Sequence, residues 1–271
     1  MRKHVTTLAA SLITSAFFIA TDARAQHTRY WVGGAGDWGD AAHWADAPNG
    51  PGGSGVPGVS DDVVITARGA TVIHLDRDAA CASITVDAEH GAVHLTGDER
   101  HALRVDHDLH LVGDVHWDMA GPLRFTRDNG GAEIDARGIP VHGDIRFEGS
   151  GAWSMLTDLM VDDEHAIILR EGNLMTNGNT LRAGSLIFES NRPKRLFAGA
   201  SAVLLARSYQ PGSALGIVEQ GNSHLFVGEE ERPWGPAAHP AREEDRGINT
   251  CGTGTGQTPF TINAQVLSNY N

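Results

Sequence analysis

The chain has 271 residues, including 33 glycines and two cysteines, and its formal net charge at pH 7 is −13. Such an acidic chain repels nucleic acid and anionic lipid, which excludes both as partners. The glycine content, with only 20% charged residues, is typical of many short strands joined by turns. Two cysteines are too few for a disulfide framework, and we expect Cys81 and Cys251 to be unpaired thiols.

Residues 1–25 have the features of a secretory signal peptide. Arg2 and Lys3 give a positive start, Leu8–Ala20 is apolar, and Ala23–Ala25 fits a small-x-small cleavage site. A membrane anchor needs about 20 continuous apolar residues, and this run is shorter. We therefore expect export, with no membrane insertion after signal cleavage. Removing this segment takes away three basic groups and one acidic group, which brings the net charge to −15.

Residues 26–60 form an aromatic, glycine-rich segment followed by a Gly/Pro loop. We expect Trp31, Trp38 and Trp44 to fold over the strands that follow and to shield their edges, which would otherwise be a template for aggregation. The alternative is a surface binding site, because aromatic faces also stack on sugar rings. The segment is therefore predicted to be an N-terminal cap, with a carbohydrate platform as the competing interpretation.

Residues 61–206 consist of short alternating segments separated by Gly, Asp and Asn turns, which fits a β-sandwich or a β-solenoid. A similar unit recurs at Ala82–Val86, His107–Leu111, Gly143–Phe147 and Gly184–Phe188, which favours a solenoid of about five coils with insertions of different length. Alternate side chains of a strand point to the same face. We expect these side chains to point into the tube: Ile84, Val86, Leu109, Leu111, Ile145, Phe147, Leu186 and Phe188.

The segment after the solenoid differs in composition. Residues 207–258 are charged and rich in Pro and Gly, so we predict a linker. Residues 259–271 form a separate last segment, which by the resemblance described next starts a truncated repeat.

Three parts of the sequence resemble one class of protein. The pattern of Tyr30–Trp44, the Gly/Pro loop and Val56–Ile65 resembles the module that opens large repeat-built surface proteins and adhesins of gliding bacteria. Ala166–Ala206 resembles a recurring coil of these proteins, and Phe260–Asn271 resembles the first strand of their short extracellular repeat.

The resemblance implies an all-β fold: a right-handed parallel β-helix (β-solenoid) with an aromatic N-terminal cap and a flexible C-terminal tail. It also implies that the chain is secreted or lies on the outer surface of a bacterium, and that the chain is the amino-terminal piece of a longer protein or a truncated relative.

Imidazole and carboxylate groups cluster near the middle of the chain. His107, His110, His116 and Asp114 are the candidate ligands for a divalent metal ion. Residues between inward aliphatic side chains point to solvent, so we favour an outward row of polar groups over a closed site. Acidic turns such as Asp61–Asp62 offer oxygen ligands for calcium, but we interpret them as carboxylates that accept backbone hydrogen bonds. We expect no cofactor, with calcium as the alternative.

Catalytic patterns are missing from the sequence: it has no Gly-x-Ser-x-Gly elbow, no His-Glu-x-x-His helix and no phosphate loop. We also expect no Asp/Arg pairing that repeats at coil spacing. The sequence therefore predicts a non-enzymatic cell-surface scaffold for adhesion, whose partner is an extracellular polysaccharide or a surface protein. The alternative is a carbohydrate-binding or polysaccharide-cleaving β-helix, which a carboxylate/arginine cleft on one outer face would favour.

Overall fold

The computed structural model describes residues 26–212 and 215–234. The described part is an all-β parallel β-solenoid of about seven turns. Its helical content is a 3-10 turn at Ala41–His43. Within the described ranges, no helix has the length and apolar character needed to cross a membrane. The predicted signal peptide, Cys251 and the truncated repeat lie outside the described residues.

The solenoid contains three ladders of parallel strands, and successive strands of a ladder come from successive coils. The first ladder contains β1 (Thr28–Trp31), β4 (Asp62–Thr66), the first parts of β7 (Ile84–Gly97) and β9 (Leu109–Met119), β11 (Gly131–Asp135), β14 (Ala152–Met155), β17 (Gly172–Met175), β19 (Lys194–Phe197) and β21 (Gly216–Glu219).

The second ladder contains β2 (Ala35–Asp37), β5 (Thr71–Leu75), the second parts of β7 and β9, β12 (Pro140–Val141), β15 (Leu159–Val161), the first parts of β18 (Leu181–Phe188) and β20 (Ala202–Gln210), and β22 (His224–Val227). The third ladder contains β6 (Ala79–Cys81), β8 (Leu103–Val105), β10 (Leu123–Phe125), β13 (Ile145–Phe147), β16 (Ala166–Leu169) and the second parts of β18 and β20. We call the outer surfaces of these ladders the first, second and third faces.

The interior is one hydrophobic core shared by the three ladders. All eight side chains predicted to point inward are at most 2% exposed, which confirms the predicted alternation. They stack in register with neighbours in adjacent coils. In the third ladder Phe147 lies between Phe125 and Leu169, and the rings of Phe125 and Phe147 are stacked with centroids 5.1 Å apart. Trp153 contributes its edge to this stack, with its ring 5.0 Å from that of Phe147.

The predicted coil equivalences were partly wrong. Ile84 and Leu109 are register partners in the first ladder, but Ile145 and Leu186 belong to the third ladder and are separated by an intervening coil at Ile167. Contacts between adjacent coils commonly join residues 22 positions apart. With coils of this length, the described part contains about seven turns, which is more than the five that we predicted.

The N-terminal segment closes the first end of the solenoid. Strand β1 pairs with β4 in parallel and with β3 (Trp44–Ala45) in antiparallel. The exposed fractions of Trp31, Trp38 and Trp44 are 7%, 2% and 0%. Trp44 packs edge to face against both other rings, and its Nε1 donates to the Trp38 carbonyl oxygen at 2.8 Å. These tryptophans are therefore part of the core at the capped end.

The solenoid continues past the boundary predicted at Ala206. Strands β20, β21 and β22 add to their ladders, and β23 (Glu230–Arg232) pairs with β22 in antiparallel. Trp234 is 5% exposed, and its ring packs edge to face on that of Tyr209, with centroids 5.2 Å apart. The linker predicted from residue 207 was therefore wrong for the described residues up to 234, because short alternating segments are hidden there among charged and Gly-rich turns.

Candidate functional site

Three arginines form a row along the third face. Arg104, Arg124 and Arg146 occupy the central, outward position of β8, β10 and β13 and are register partners in successive coils. Neighbouring strands lie about 4.8 Å apart, so the row presents closely spaced guanidinium groups parallel to the solenoid axis. We call these residues the arginine row.

The arginine row is unevenly neutralised by its neighbours. Arg146 donates to Asp144 at 3.0 Å, whereas the nearest carboxylate contact of Arg124 is 3.9 Å away, at Glu148. Arg104 donates through Nε to the Thr126 hydroxyl at 2.8 Å. The Nε atoms of Arg124 and Arg146 are both buried without a hydrogen-bond partner among the described residues. The outer guanidinium nitrogens of Arg104 and Arg124 are more available to a ligand than those of Arg146, because Arg146 alone of the three has a carboxylate at 3.0 Å.

These two arginines line a groove with a volume of about 430 Å³. The groove lies between the loop Val56–Val59 and the strands β6, β8 and β10. Asp61 holds the loop in place, because its carboxylate accepts the Gly58 N–H at 2.8 Å. This contact confirms the predicted backbone hydrogen bond for Asp61, whereas the Asp62 carboxylate accepts from the Gln26 side chain instead. We call this concave surface the arginine groove.

The walls of the groove are mostly small or apolar. Asp78 is the carboxylate among the lining residues, and its Oδ1 accepts the Ala102 N–H at 2.9 Å. Ala79 and Ala80 let a ligand approach the strand backbone closely. The groove therefore combines two guanidinium groups, a carboxylate held by the backbone and a low-polarity surface, which suits an extended ligand that carries anionic groups.

The arginine row was not predicted from the sequence. The two carboxylates beside it, Asp144 and Glu148, flank the same strand β13 and pair with Arg146 and Arg124. The signal was present as the triplets Leu103–Val105, Leu123–Phe125 and Ile145–Phe147, each with arginine between two apolar residues. Aligning the chain on this triplet would have revealed the third ladder.

The tryptophans proposed as a surface binding site do not offer their faces to solvent. Trp31 stacks on the His43 ring with centroids 4.7 Å apart, and Trp38 and Trp44 are at most 2% exposed. A sugar ring needs an exposed aromatic face on which to stack. The structure therefore contradicts the carbohydrate platform at these residues, because each ring is used in packing.

Of the four predicted metal ligands, the structure brings only His116 and Asp114 together. His110 points outward from the first ladder, whereas His116 lies in the second ladder with its Nε2 3.0 Å from the Asp114 carboxylate. His107 precedes β9, and its Nε2 lies 3.5 Å from the carboxylate of the adjacent Asp106. The four predicted ligands are thus distributed between two faces and a corner.

A different group of imidazoles and carboxylates does assemble on the second face. The rings of His94 and His116, register partners in β7 and β9, are stacked with centroids 4.3 Å apart. Asp118 lies near His94 and His142, and Asp162 lies near His142 and His165. We call His94, Asp118, His142, Asp162 and His165 the imidazole row. His94, Asp118, His142 and Asp162 come from four successive coils, and His165 follows Asp162 in the same coil.

Comparison with protein-family models, curated proteins and solved structures finds no match for this chain.

Proposed function

We propose that the protein is an exported, non-catalytic scaffold of a bacterial cell surface whose arginine groove binds an acidic polysaccharide. The observation that carries the proposal is the pair of neighbouring guanidinium groups, Arg104 and Arg124, which line one groove and, within the described residues, have no carboxylate closer than 3.9 Å. Guanidinium groups form strong, directional bonds with carboxylates.

A linear polymer suits this surface better than a small anion. The arginine row continues from the groove to Arg146 along the axis of the solenoid. A chain of uronate sugars laid along this axis can place successive carboxylates near successive coils. Each contact is modest, and affinity comes from repeating the contact along a rigid surface. The protein as a whole is negatively charged, so it does not attract anions in general. Binding of an anionic polymer is therefore confined to the groove.

Export and surface location rest on the sequence. The resemblance to the opening module of surface proteins of gliding bacteria supports a scaffold role, as does the signal peptide predicted at residues 1–25. Determining the N-terminus of the protein recovered from the cell exterior tests export, and we expect it to be Gln26. Recovery of the uncleaved chain in the cytoplasm would contradict this part of the proposal.

Binding is tested with the purified protein by isothermal titration against uronate polysaccharides and against neutral glucans of similar length. We expect saturable binding of the uronate polymers alone. Changing Arg104 or Arg124 to Gln removes charge-assisted hydrogen bonds worth about 1.5–3 kcal/mol. Affinity should therefore fall about 10-fold to 100-fold. The matched control is Arg182→Gln on the second face, where Arg182 pairs with Asp163, and this change should leave affinity unaltered.

Three results would count against the proposal. Equal loss of affinity in the control would show that net charge alone is responsible. Binding of neutral glucans as tightly as uronates would show that the arginines do not determine which polymer binds. Formation of shortened or unsaturated sugar products during incubation would make the protein a polysaccharide-cleaving enzyme, which is the competing function.

A further inference from the structure

In the part of the chain that the structure describes, the third ladder starts one coil later than the other two. Its first strand is β6, whereas the first and second ladders already have β1 and β2 in the preceding coil. In that coil the chain between β2 and β4 includes the loop Val56–Val59, which lies on the other side of the arginine groove from β6. The two segments meet past the groove, where the Ala82 N–H donates to the Asp61 carbonyl oxygen at 2.7 Å. The arginine groove is therefore a gap in the place of one missing strand.

Strand β6 has an unpaired edge on the side of this gap. Within the described residues, β6 pairs with β8 alone. The Ala79 N–H donates to the Ala102 carbonyl oxygen at 2.9 Å, and the Cys81 carbonyl oxygen accepts the Asp106 N–H at 3.1 Å, so both residues bond on the β8 side. Backbone groups of successive strand residues point to opposite edges. The N–H and C=O of Ala80 therefore point to the gap, and no hydrogen bond in the described part of the chain joins them to the loop.

The side chain of Ala80 keeps this edge open. Ala80 is the register partner of Arg104, so the outward row that continues with Arg104 and Arg124 begins with a methyl group. A long side chain in its place would fill the groove. The loop residues Val56 and Val59 on the other side are apolar as well. The groove thus combines an unpaired backbone donor and acceptor, a low-polarity wall and the guanidinium groups of the next two coils.

An N-acetylated amino sugar has the groups that fit this combination. The carbonyl oxygen of its amide can accept the Ala80 N–H, as a peptide group of the missing strand would. Its methyl group can contact the low-polarity wall, where burial of a group of this size contributes about 0.8 kcal/mol. A sugar hydroxyl can accept the same hydrogen bond, but it leaves the apolar wall uncovered. The acetamido group is therefore better suited to the gap than a hydroxyl.

We propose that the acidic polymer bound by the arginine groove carries an N-acetylated amino sugar next to a uronate, with the amide at Ala80 and the uronate carboxylate at Arg104 and Arg124. This inference rests on the proposed function, because it names the class of polymer that the same groove takes. Neighbouring strands lie about 4.8 Å apart, so the amide and the carboxylate must come from one short stretch of polymer. The groove volume of about 430 Å³ is in the range of sites that enclose a small group of a ligand.

The experiment is isothermal titration of the full chain with two polymers of equal length and equal carboxylate density. In hyaluronan, glucuronate alternates with N-acetylglucosamine; in the matched polymer, glucuronate alternates with glucose, so the amide alone is missing. We expect hyaluronan to bind about 10-fold more tightly, because one hydrogen bond and one buried methyl group together contribute about 1.4 kcal/mol. Chitin oligosaccharides, which have the amide without a carboxylate, should bind more weakly than either polymer.

Two variants test the role of the Ala80 backbone. Ala80→Pro removes the N–H that points to the gap, and proline is tolerated on an edge strand at such a position. Its affinity for hyaluronan should fall about 2-fold to 10-fold, with unchanged affinity for the glucose polymer. The matched control is Ala80→Ser, which keeps the N–H and should keep the preference for hyaluronan. Circular dichroism and unfolding in denaturant check that both variants are folded.

Hydrogen exchange of the Ala80 N–H, measured by NMR on the wild-type protein, gives a result that needs no variant. We expect hyaluronan to slow this exchange and the glucose polymer to leave it nearly unchanged. Equal slowing by both polymers would overturn the inference.

Equal affinity for the two polymers, with both weakened by Arg104→Gln, would overturn the inference and leave the proposed function standing. The absence of saturable binding to either polymer would contradict the proposed function as well.

Discussion

The stacked core of the third ladder predicts a large cost for the change Phe147→Ala. Phe147 is 0% exposed, and its ring contacts those of Phe125 and Trp153 at centroid distances of 5.1 and 5.0 Å. Replacing a buried phenylalanine by alanine costs about 3–5 kcal/mol, with the higher values where neighbours cannot collapse into the cavity. The flanking residues are held in register by their ladders, so we expect about 4 kcal/mol.

The measurement is unfolding in guanidinium chloride followed by tryptophan fluorescence and circular dichroism. Phe197→Ala is the matched control, because Phe197 is half-buried on the first face and its neighbour Leu196 fills the interior position. We expect this control to cost about 1 kcal/mol or less. Equal costs for the two variants, or a cost below about 1.5 kcal/mol for Phe147→Ala, would refute the assignment of inward and outward positions.

Two further changes test the corners and the capped end of the solenoid. Gly113 has φ of +84°, and a Cβ added there would lie 2.4 Å from the Ala88 carbonyl carbon. Gly113→Ala should therefore lower the free energy of unfolding by more than about 1 kcal/mol in a denaturant titration. The control Gly131→Ala adds a Cβ that meets no neighbouring atom, so it should change stability little. Similar costs for the two variants would contradict the corner geometry. Burial raises the pKa of Tyr209. An unfolded tyrosine has a pKa of about 10, so the stability contributed by neutral Tyr209 is fully present below that pH and is lost as the pH rises towards the folded-state pKa. Tyr209→Phe should lose less stability than the wild-type protein between pH 9 and 11, and an equal loss would contradict this reasoning.

The inside of the solenoid was largely predictable from the sequence. Period-two alternation within strands is a local signal, and it identified the side chains that point inward, such as Ile84 and Phe188. Glycine and asparagine permit the positive φ of tight corners, and this φ is found at Gly172, Asn177 and Gly178, although not at the neighbouring Asn179 and Gly184. These features depend on one or a few neighbouring residues. Local physical chemistry is therefore enough to predict them.

The alignment of one coil on the next was harder to predict. β7 and β9 pass through two ladders with a shift of register between Ala88 and Val93, and this hides the coil length in the sequence. Without that length, Arg104 and Arg124 look like isolated surface charges. His94, Asp118 and His142 come from three coils, so only the ladder register brings them together. The strands after Ala206 were missed because their flanking turns are charged.

The repeat length of the ladders makes the coil an interchangeable unit. Residues 22 positions apart, such as Asp158 and Thr180, occupy equivalent places in adjacent coils. Insertion or deletion of one whole coil would lengthen or shorten every face by about 4.8 Å and keep each outward row in line. Insertion of one residue within a strand would instead turn its apolar side chains to the outside. The length of the arginine row can therefore change by whole coils without a new fold.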